Sequence, residues 1–359
     1  KTHKKGTIQI KGENALDTKK LGRQTVRLTS PPSIAGFGSA VGKKEGQGPL
    51  GRCFDFASQD DSFAEKSWEK AETAMQKQAL SYALDKAGIS SDQLDYVFAG
   101  DLLNQCIATS YSLRAQNAPF FGLYGACSTM AEGMSLAAML VDGGFASYAA
   151  ALTSSHFCSA ERQYRNPLEY GGQKPPTAQW TTTGSGAVIL SRKGTGPFIT
   201  HVTTGKVVDK GITDANNMGA AMAPAAAATL LRYLTDTNTQ PQEFDAICTG
   251  DLGHVGSQLF RELLAAEGLL LKNHVDCGSL LYDAEGQSVH SGASGPGCCA
   301  AVLCGHLLPR LERRGQRRVL FLATGALMSQ TTFLQKESIP AISHLVELAA
   351  PEEPNGGNT

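Results

Sequence analysis

Two nine-residue stretches of this chain match one another in residue type at every position. Residues 94–102 read Leu-Asp-Tyr-Val-Phe-Ala-Gly-Asp-Leu, and residues 244–252 read Phe-Asp-Ala-Ile-Cys-Thr-Gly-Asp-Leu. Each is a short apolar run entered through an aspartate (Asp95, Asp245) and left through Gly-Asp-Leu, the pattern of a buried strand whose end opens on a loop. Further along, both are followed by a glycine-rich turn leading into a small-residue helix: Gly125-Ala126-Cys127-Ser128 in one case, Gly295-Pro296-Gly297-Cys298 in the other. A closing strand then comes at 148–153 and again at 319–324, and the separation of Cys127 from Thr153 equals that of Cys298 from Thr324. Three matched elements at matched spacing imply that an α/β unit has been duplicated.

The remaining periodicities fit that plan. Trp68, Ala71, Met75, Ala79 and Tyr82 recur at three- and four-residue steps and predict one apolar helix face, with Gly88 as the stop. A second helix is predicted over 128–141, with Met130, Met134, Ala137 and Val141 on one face and Gly143-Gly144 beyond it. Its small side chains suit a helix buried between sheets. Strands alternating with helices predict a predominantly parallel sheet covered by helices. The turn Arg192-Lys193-Gly194-Thr195-Gly196-Pro197 is the expected boundary between an N-terminal half, 21–196, and a C-terminal half, 197–348. The lysine-rich residues 1–20 read as a leader outside the fold, and 349–359 as a flexible tail.

Composition excludes several function classes. With 42% hydrophobic and 18% charged residues over 359 positions, the chain can bury the cores of two domains. A formal net charge of −1 provides no basic surface for nucleic acid. No run approaches the roughly 18 apolar residues of a membrane span, and no signal-peptide pattern opens the chain. The nine cysteines are odd in number and irregularly spaced, with Cys248 and Cys304 inside apolar runs, which suits reduced thiols in a reducing compartment. Cys298, Cys299 and Cys304 lack the paired spacing of a zinc site and read as helix core, so no metal site is expected.

Chemistry centres on Cys127, which follows the apolar residues 119–123 and directly precedes the small-residue helix. A sulfur at such a strand-to-helix turn meets free backbone N–H groups, which stabilise a thiolate or a bound anion. Gly-Ala-Cys-Ser before a buried helix, Thr183-Gly184-Ser185-Gly186-Ala187-Val188 leading into a strand, and the duplicated halves resemble the thiolases and ketoacyl synthases. That resemblance implies two duplicated α/β halves in a layered α-β-α-β-α arrangement, a homodimer paired along a central strand at 119–123, and a cysteine acyl nucleophile served by histidines of the C-terminal half.

Longer strings narrow it. Lys44-Glu45, Gly48-Pro49-Leu50-Gly51, Lys66-Ser67-Trp68-Glu69, Ala99-Gly100-Asp101-Leu102-Leu103-Asn104-Gln105, Thr153-Ser154-Ser155-His156, Met222-Ala223-Pro224-Ala225 and Ala323-Thr324-Gly325-Ala326, spread over residues 20–345, resemble the stage V sporulation protein AD family. The resemblance implies a soluble sporulation protein that lies at the forespore inner membrane through membrane partners from the same operon and helps to bring dipicolinic acid, as its calcium chelate, into the forespore.

The enzyme triad does not carry over intact. A ketoacyl synthase has a His-Gln-Ala-Asn string after the second-half strand, where this chain has Gly250-Asp251-Leu252-Gly253-His254. His254 is then either a relocated base or a loop histidine. His290-Ser291-Gly292-Ala293-Ser294-Gly295 approximates a thiolase string, one residue short and lacking its Pro, and the C-terminal Cys-x-Gly-Gly-Gly loop is absent. Three readings stay open: a binder of dipicolinic acid in a former acyl pocket, an acyltransferase using Cys127, and a ligand-free scaffold for the membrane partners. In the first, the ligand lies beside Cys127 with His156 as polar partner. Asp101 and Asp251, from equivalent strand ends, either face calcium carried by the chelate or cap their own turns. No separate cofactor is expected. The charged stretch 157–174, with Glu161, Arg162, Arg165, Glu169, Tyr170 and Lys174, reads as a long functional loop or intersubunit arm.

Overall fold

The computed structural model describes residues 19–165 and 174–351. In the N-terminal half, β1 (Ser33–Val41) leads to α1 (Trp68–Ala87), β2 (Tyr96–Gly100), α2 (Ile107–Leu113), β3 (Phe120–Gly122), α3 (Thr129–Asp142), β4 (Tyr148–Ser155), α4 (Phe157–Arg165) and β5 (Gly184–Ser191). The C-terminal half contains β6 (Phe198–Thr203), α5 (Met218–Thr237), β7 (Ala246–Gly250), α6 (Gly253–Ala266), β8 (His274–Asp276), α7 (Pro296–Val302), β9 (Arg318–Ala326) and β10 (Ala341–Ala349).

The two halves have one topology. Strand order is β3-β2-β4-β5-β1 in the first and β8-β7-β9-β10-β6 in the second, two five-strand sheets linked at their edges through the pair Phe198 of β6 and Ser33 of β1. In each half the first two of these pairings are parallel and the last two antiparallel, so the sheet is mixed where the strand–helix alternation predicted a predominantly parallel one. The antiparallel strands β5 and β10 thus complete the two halves in the same way. The repeat extends to single bonds. Asp95 Oδ2 accepts from Ser147 N and Tyr148 N at the start of β4, and Asp245 Oδ2 accepts from Arg317 N and Arg318 N at the start of β9.

Helices and sheets stack in five layers. Along β4, Ala149 and Ala151 face the central core while Ala150 and Leu152 face the outer N-terminal one; along β9, Val319 and Phe321 face the centre while Leu320 and Leu322 face outward. Burial on both faces explains why these strands read as continuous apolar runs. Helix α1 covers one outer face with Ala71, Met75, Ala79 and Ala83 fully buried, whereas Trp68 and Tyr82, at the ends of the expected stripe, are only half covered. Gly88 ends it in the left-handed conformation. Helices α5 and α6 cover the other outer face. Between the sheets lie α3 and α7; Met130, Met134, Ala137 and Val141 of α3 are fully buried, as the periodicity predicts. Contact there is backbone-close: a Cβ on Gly186 of β5 would lie 2.4 Å from the Ala300 carbonyl oxygen of α7.

Three sequence expectations need correction. Lys19 and Lys20, assigned to a leader, belong to the fold: Lys19 Nζ meets Asp142 Oδ2 at 2.6 Å, and the strand Lys20–Leu21 pairs with Thr25–Arg27, which in turn pairs with β6. The strand β10 runs through Ala349, and Ala350 N still bonds the Arg317 carbonyl. The stretch expected as a long loop opens instead with helix α4, because Arg162 reaches Glu69 and the Gln163 amide bonds both Asn104 N and the Leu102 carbonyl. Residues 1–18, Glu169, Tyr170 and most of the expected tail lie outside the described residues.

A buried charge network closes the C-terminal half. Glu347 of β10 accepts from Tyr233 OH at 2.6 Å, meets His201 Nδ1 at 2.6 Å and pairs with Arg318 at 2.8 Å. Burial alone would raise its carboxyl, but the bonds from His201 and Tyr233 and the charges of His201 and Arg318 hold it down to about 2. A lowered folded-state value adds stability above the ordinary 4.5 that is lost as pH falls toward 2. Glu347→Gln is therefore expected to flatten the acid limb of the Tm-against-pH curve. Glu347→Ala, which strips a buried partner from its donors, should cost about 3 kcal/mol in denaturant unfolding.

Candidate functional site

Cys127 lies in the one-turn 3-10 segment Ala126–Ser128 that opens α3. The turn is tight. Ala126 is held at φ 50°, in the left-handed region, and Ser128 Oγ and Thr129 Oγ1 bond back to the carbonyls of Gly125 and Ala126 at 2.7 and 2.6 Å. The end of β9 presses on this elbow from the other half, where a Cβ on Gly325 would lie 2.1 Å from the Gly125 carbonyl oxygen and 3.2 Å from Cys127 N. Glycine is thus required at 325 by the approach itself.

The groups at the sulfur come from the C-terminal half. Gly295 N–H faces it, and the Asp251 carboxyl is near enough for its charge to act on the thiol. Burial, then Asp251, pushes the Cys127 thiol well above the ordinary thiol range, so the helix start does not yield the thiolate that its position suggests. Asp251 is itself wholly buried at φ 71°, and no donor meets hydrogen-bond geometry at either carboxyl oxygen. Its polar neighbours are the thiols of Cys298 and Cys299 and the Cys299 N–H. Burial first, and the charge of Asp276 second, hold its carboxyl well above the usual carboxylate range. Asp276, by contrast, spends its oxygens on Thr249 Oγ1, Leu252 N, Gly253 N and Ser279 N.

The other sequence-derived candidates are engaged by partners of their own or face solvent. Asp101 Oδ1 accepts from Leu103 N at 2.8 Å, and Oδ2 accepts from Thr109 N and Thr109 Oγ1 at 2.8 and 2.6 Å, so it caps its own turn. His156 is buried, with Nε2 2.7 Å from the Asp61 carbonyl and Nδ1 3.2 Å from Cys158 N. Those partners make it the neutral tautomer protonated on Nε2, and burial lowers its basicity. His254 and His290 are both exposed, and His254 N bonds the Ser291 carbonyl where α6 begins. Of the named residues, the structure brings Cys127 and Asp251 together. Cys298, Cys299 and Cys304 are buried along α7 and its extension, as helix core.

Sequence reasoning missed two contributors. Tyr164 of α4 lies near Cys127, Cys106 and Asp101 and donates to the Leu102 carbonyl at 2.7 Å; burial, with these charges, raises its hydroxyl to about 12. Gln179 donates to the Asp251 carbonyl at 2.6 Å and to the Ala293 carbonyl at 3.0 Å, leaving its buried Oε1 without a partner. No local pattern marks either. The Gly295 N–H ends the string His290 to Gly295, whose glycines are the signal that marks it. A surface cleft of about 330 Å³ lies between α1, α2 and α4, and Cys127 does not line it.

This duplicated five-layer arrangement with a cysteine at the buried helix start is the thiolase-like fold. Among solved structures the chain resembles 3-oxoacyl-[acyl-carrier-protein] synthase III from Aquifex aeolicus VF5, at 12% identity and TM-score 0.54, over 89% of this chain and 99% of that one. An OleA variant from Xanthomonas campestris aligns at 13% identity and TM-score 0.59, over 89% and 98%. The chain belongs to the stage V sporulation protein AD family, whose model matches residues 22–349. The stage V sporulation protein AD of Bacillus subtilis (strain 168) is 45% identical over 324 residues, 90% of this chain and 96% of the relative. Among the described residues no helix is long and apolar enough to cross a membrane.

The state of the thiol is directly testable. At neutral pH Cys127 is expected to alkylate with iodoacetamide at least tenfold more slowly than the exposed Cys53, followed by peptide mass spectrometry of the native protein. Equal rates would contradict a buried neutral thiol.

Proposed function

We propose that this chain is a sporulation protein that uses the former acyl pocket to bind dipicolinic acid, free or as its calcium chelate, and supports its uptake into the forespore with membrane proteins of the same operon. The observation that carries the reading is Asp251: a wholly buried carboxyl, favoured by burial in its protonated form and without a hydrogen-bond partner, beside Cys127, in the region where the resemblance to condensing enzymes implies a histidine. A neutral acid in an apolar site donates a hydrogen bond to a carboxylate and does not repel it. The N–H groups at the start of α3 and at Gly295 receive further carboxylate oxygen, and calcium enters only as part of the ligand.

The same features weigh against acyl transfer. A thiol held neutral by burial lacks the base that would activate it, and an oxyanion needs donors where Asp251 offers one proton and no positive charge. Acetyl-CoA and acetoacetyl-CoA should give no multiple turnover; turnover abolished by Cys127→Ala would establish an enzyme. In calorimetric titration with dipicolinate, with and without calcium, Cys127→Trp is expected to abolish binding, Cys127→Ser to retain much of it, and Asp251→Ala to weaken it about tenfold or more through the lost charge-assisted bond. Binding like the parent in both cysteine variants would place the ligand elsewhere, and no binding by the parent would favour a ligand-free scaffold.

A second copy of the chain is proposed on the edge strand β3. Its residues are all exposed, with Phe121 at 51% and the neighbouring Tyr124 at 66%, and Phe120, Ile107 and Tyr111 extend the apolar surface. An unpaired apolar strand of this kind invites edge-to-edge pairing. Sedimentation at micromolar concentration should give a dimer, and Phe121→Lys a monomer.

A further inference from the structure

Away from the Cys127 sulfur, the dipeptide Lys44-Glu45 on the one-turn helix Lys43–Gly46 reaches across to residues 281–287 of the other half. Lys44 Nζ donates to the Gln287 carbonyl at 2.7 Å, and Gln287 Nε2 donates to the Lys44 carbonyl at 2.7 Å. The Tyr282 hydroxyl donates a very short hydrogen bond to Glu45 Oε1, which also accepts from Thr183 N at 2.9 Å. Glu45 Oε2 is fully buried and has no partner. The two segments touch through their backbones as well, since a Cβ on Gly48 would lie 2.3 Å from the Leu281 carbonyl oxygen.

The segment held in this way leads into the site. Ala293 pairs with Trp180, and the Gly295 N–H faces Cys127. From Tyr282 a line of polar groups also runs inward: its hydroxyl adjoins that of Thr182, Thr182 adjoins the Cys298 thiol, and Cys298 adjoins Asp251. We infer that Glu45 is a proton-operated latch on the site: protonated, its buried carboxyl ties residues 281–295, and with them the Gly295 N–H at Cys127, to the N-terminal half; ionised, it lets that segment open.

Among the described residues no cation bonds the Glu45 carboxyl, although the Lys44 charge acts on it. The Lys44 ammonium is directed at the Gln287 carbonyl and over the Trp180 ring at 4.1 Å, and the Lys174 ammonium sits over the same ring at 5.0 Å while bonding Glu161. Asp61 adds a like charge, and its carbonyl holds the neutral His156. Tyr282 is a neutral donor. Burial therefore prevails over the bonds from Tyr282 and Thr183 and raises Glu45 from 4.5 to about 7. Because the closed state binds the proton more tightly than the open one, closure is strongest below 4.5, weakens as pH rises, and stops weakening above about 7.

The test is hydrogen exchange on the full chain, read on peptides covering 281–295 and corrected for the intrinsic pH dependence of amide exchange, from about pH 5 to about pH 8. In the wild type the opening constant should rise up to about tenfold per pH unit and level off near neutrality. Glu45→Gln keeps the size and the acceptor oxygen, so the slope should vanish. Glu72→Gln removes a different buried carboxyl, raised to about 8 and bonded to Ser154 and Ser159, and should keep the slope. If Glu45→Gln does not fold, Tyr282→Phe serves: with its donor gone, the level-off should move to higher pH. A flat wild-type profile, a slope that survives Glu45→Gln, or an unmoved level-off in Tyr282→Phe would overturn the latch.

Discussion

The packing of α3 and α7 between the two sheets is the constraint on which the rest of this structure depends. Both helices are buried over most of their surface, and small residues, Ala131, Gly133, Ala137 and Ala138 in α3 and Gly297, Ala300 and Ala301 in α7, line much of it. Close approach follows from that composition. Gly186 admits the Ala300 carbonyl, and Gly325 admits the Gly125 carbonyl, so the first-half helix start and the second-half strand end meet at the distance of bare backbone. Cys127 is where they meet. The site is therefore a product of the seam between the halves, and neither half alone assembles it.

A seam that dry changes the chemistry of what is placed in it. Carboxyls at Asp251 and Glu45 are both raised by burial before any neighbour acts, and the Cys127 thiol is raised with them. Glu347 shows the opposite outcome under similar burial, because His201, Tyr233 and Arg318 all reach it. Cations within reach decide the direction here: Asp276 accepts from four donors and is still raised, to about 6, whereas Glu347 has His201 and Arg318 beside it.

Much of the fold was legible from the chain. The repeated Gly-Asp-Leu strand exits, the equal Cys-to-Thr spacings and the three- and four-residue steps of α1 and α3 each correspond to an element of the structure, because strand and helix periods are local properties. Sheet direction was not legible: the antiparallel arrival of β5 and β10 depends on which side of the sheet the connection returns. The site was half legible. A cysteine in a glycine turn before a small-residue helix marks itself, whereas Tyr164 and Gln179 reach their positions only through the docking of α4 and of the segment before β5.

The sequence by itself determined that this is a duplicated α/β chain with a cysteine at a buried helix start and without the histidine string of the condensing enzymes, since these are matters of residue type and spacing. Tertiary structure alone decided which of two equivalent aspartates does what. Asp101 and Asp251 leave corresponding strands through the same Gly-Asp-Leu string, yet Asp101 finds the backbone and hydroxyl of Thr109 within reach, while Asp251, turned toward the seam at positive φ, finds thiols and no ordinary donor. The difference lies in what the opposite half places against each carboxyl, and no local reading of either string contains it.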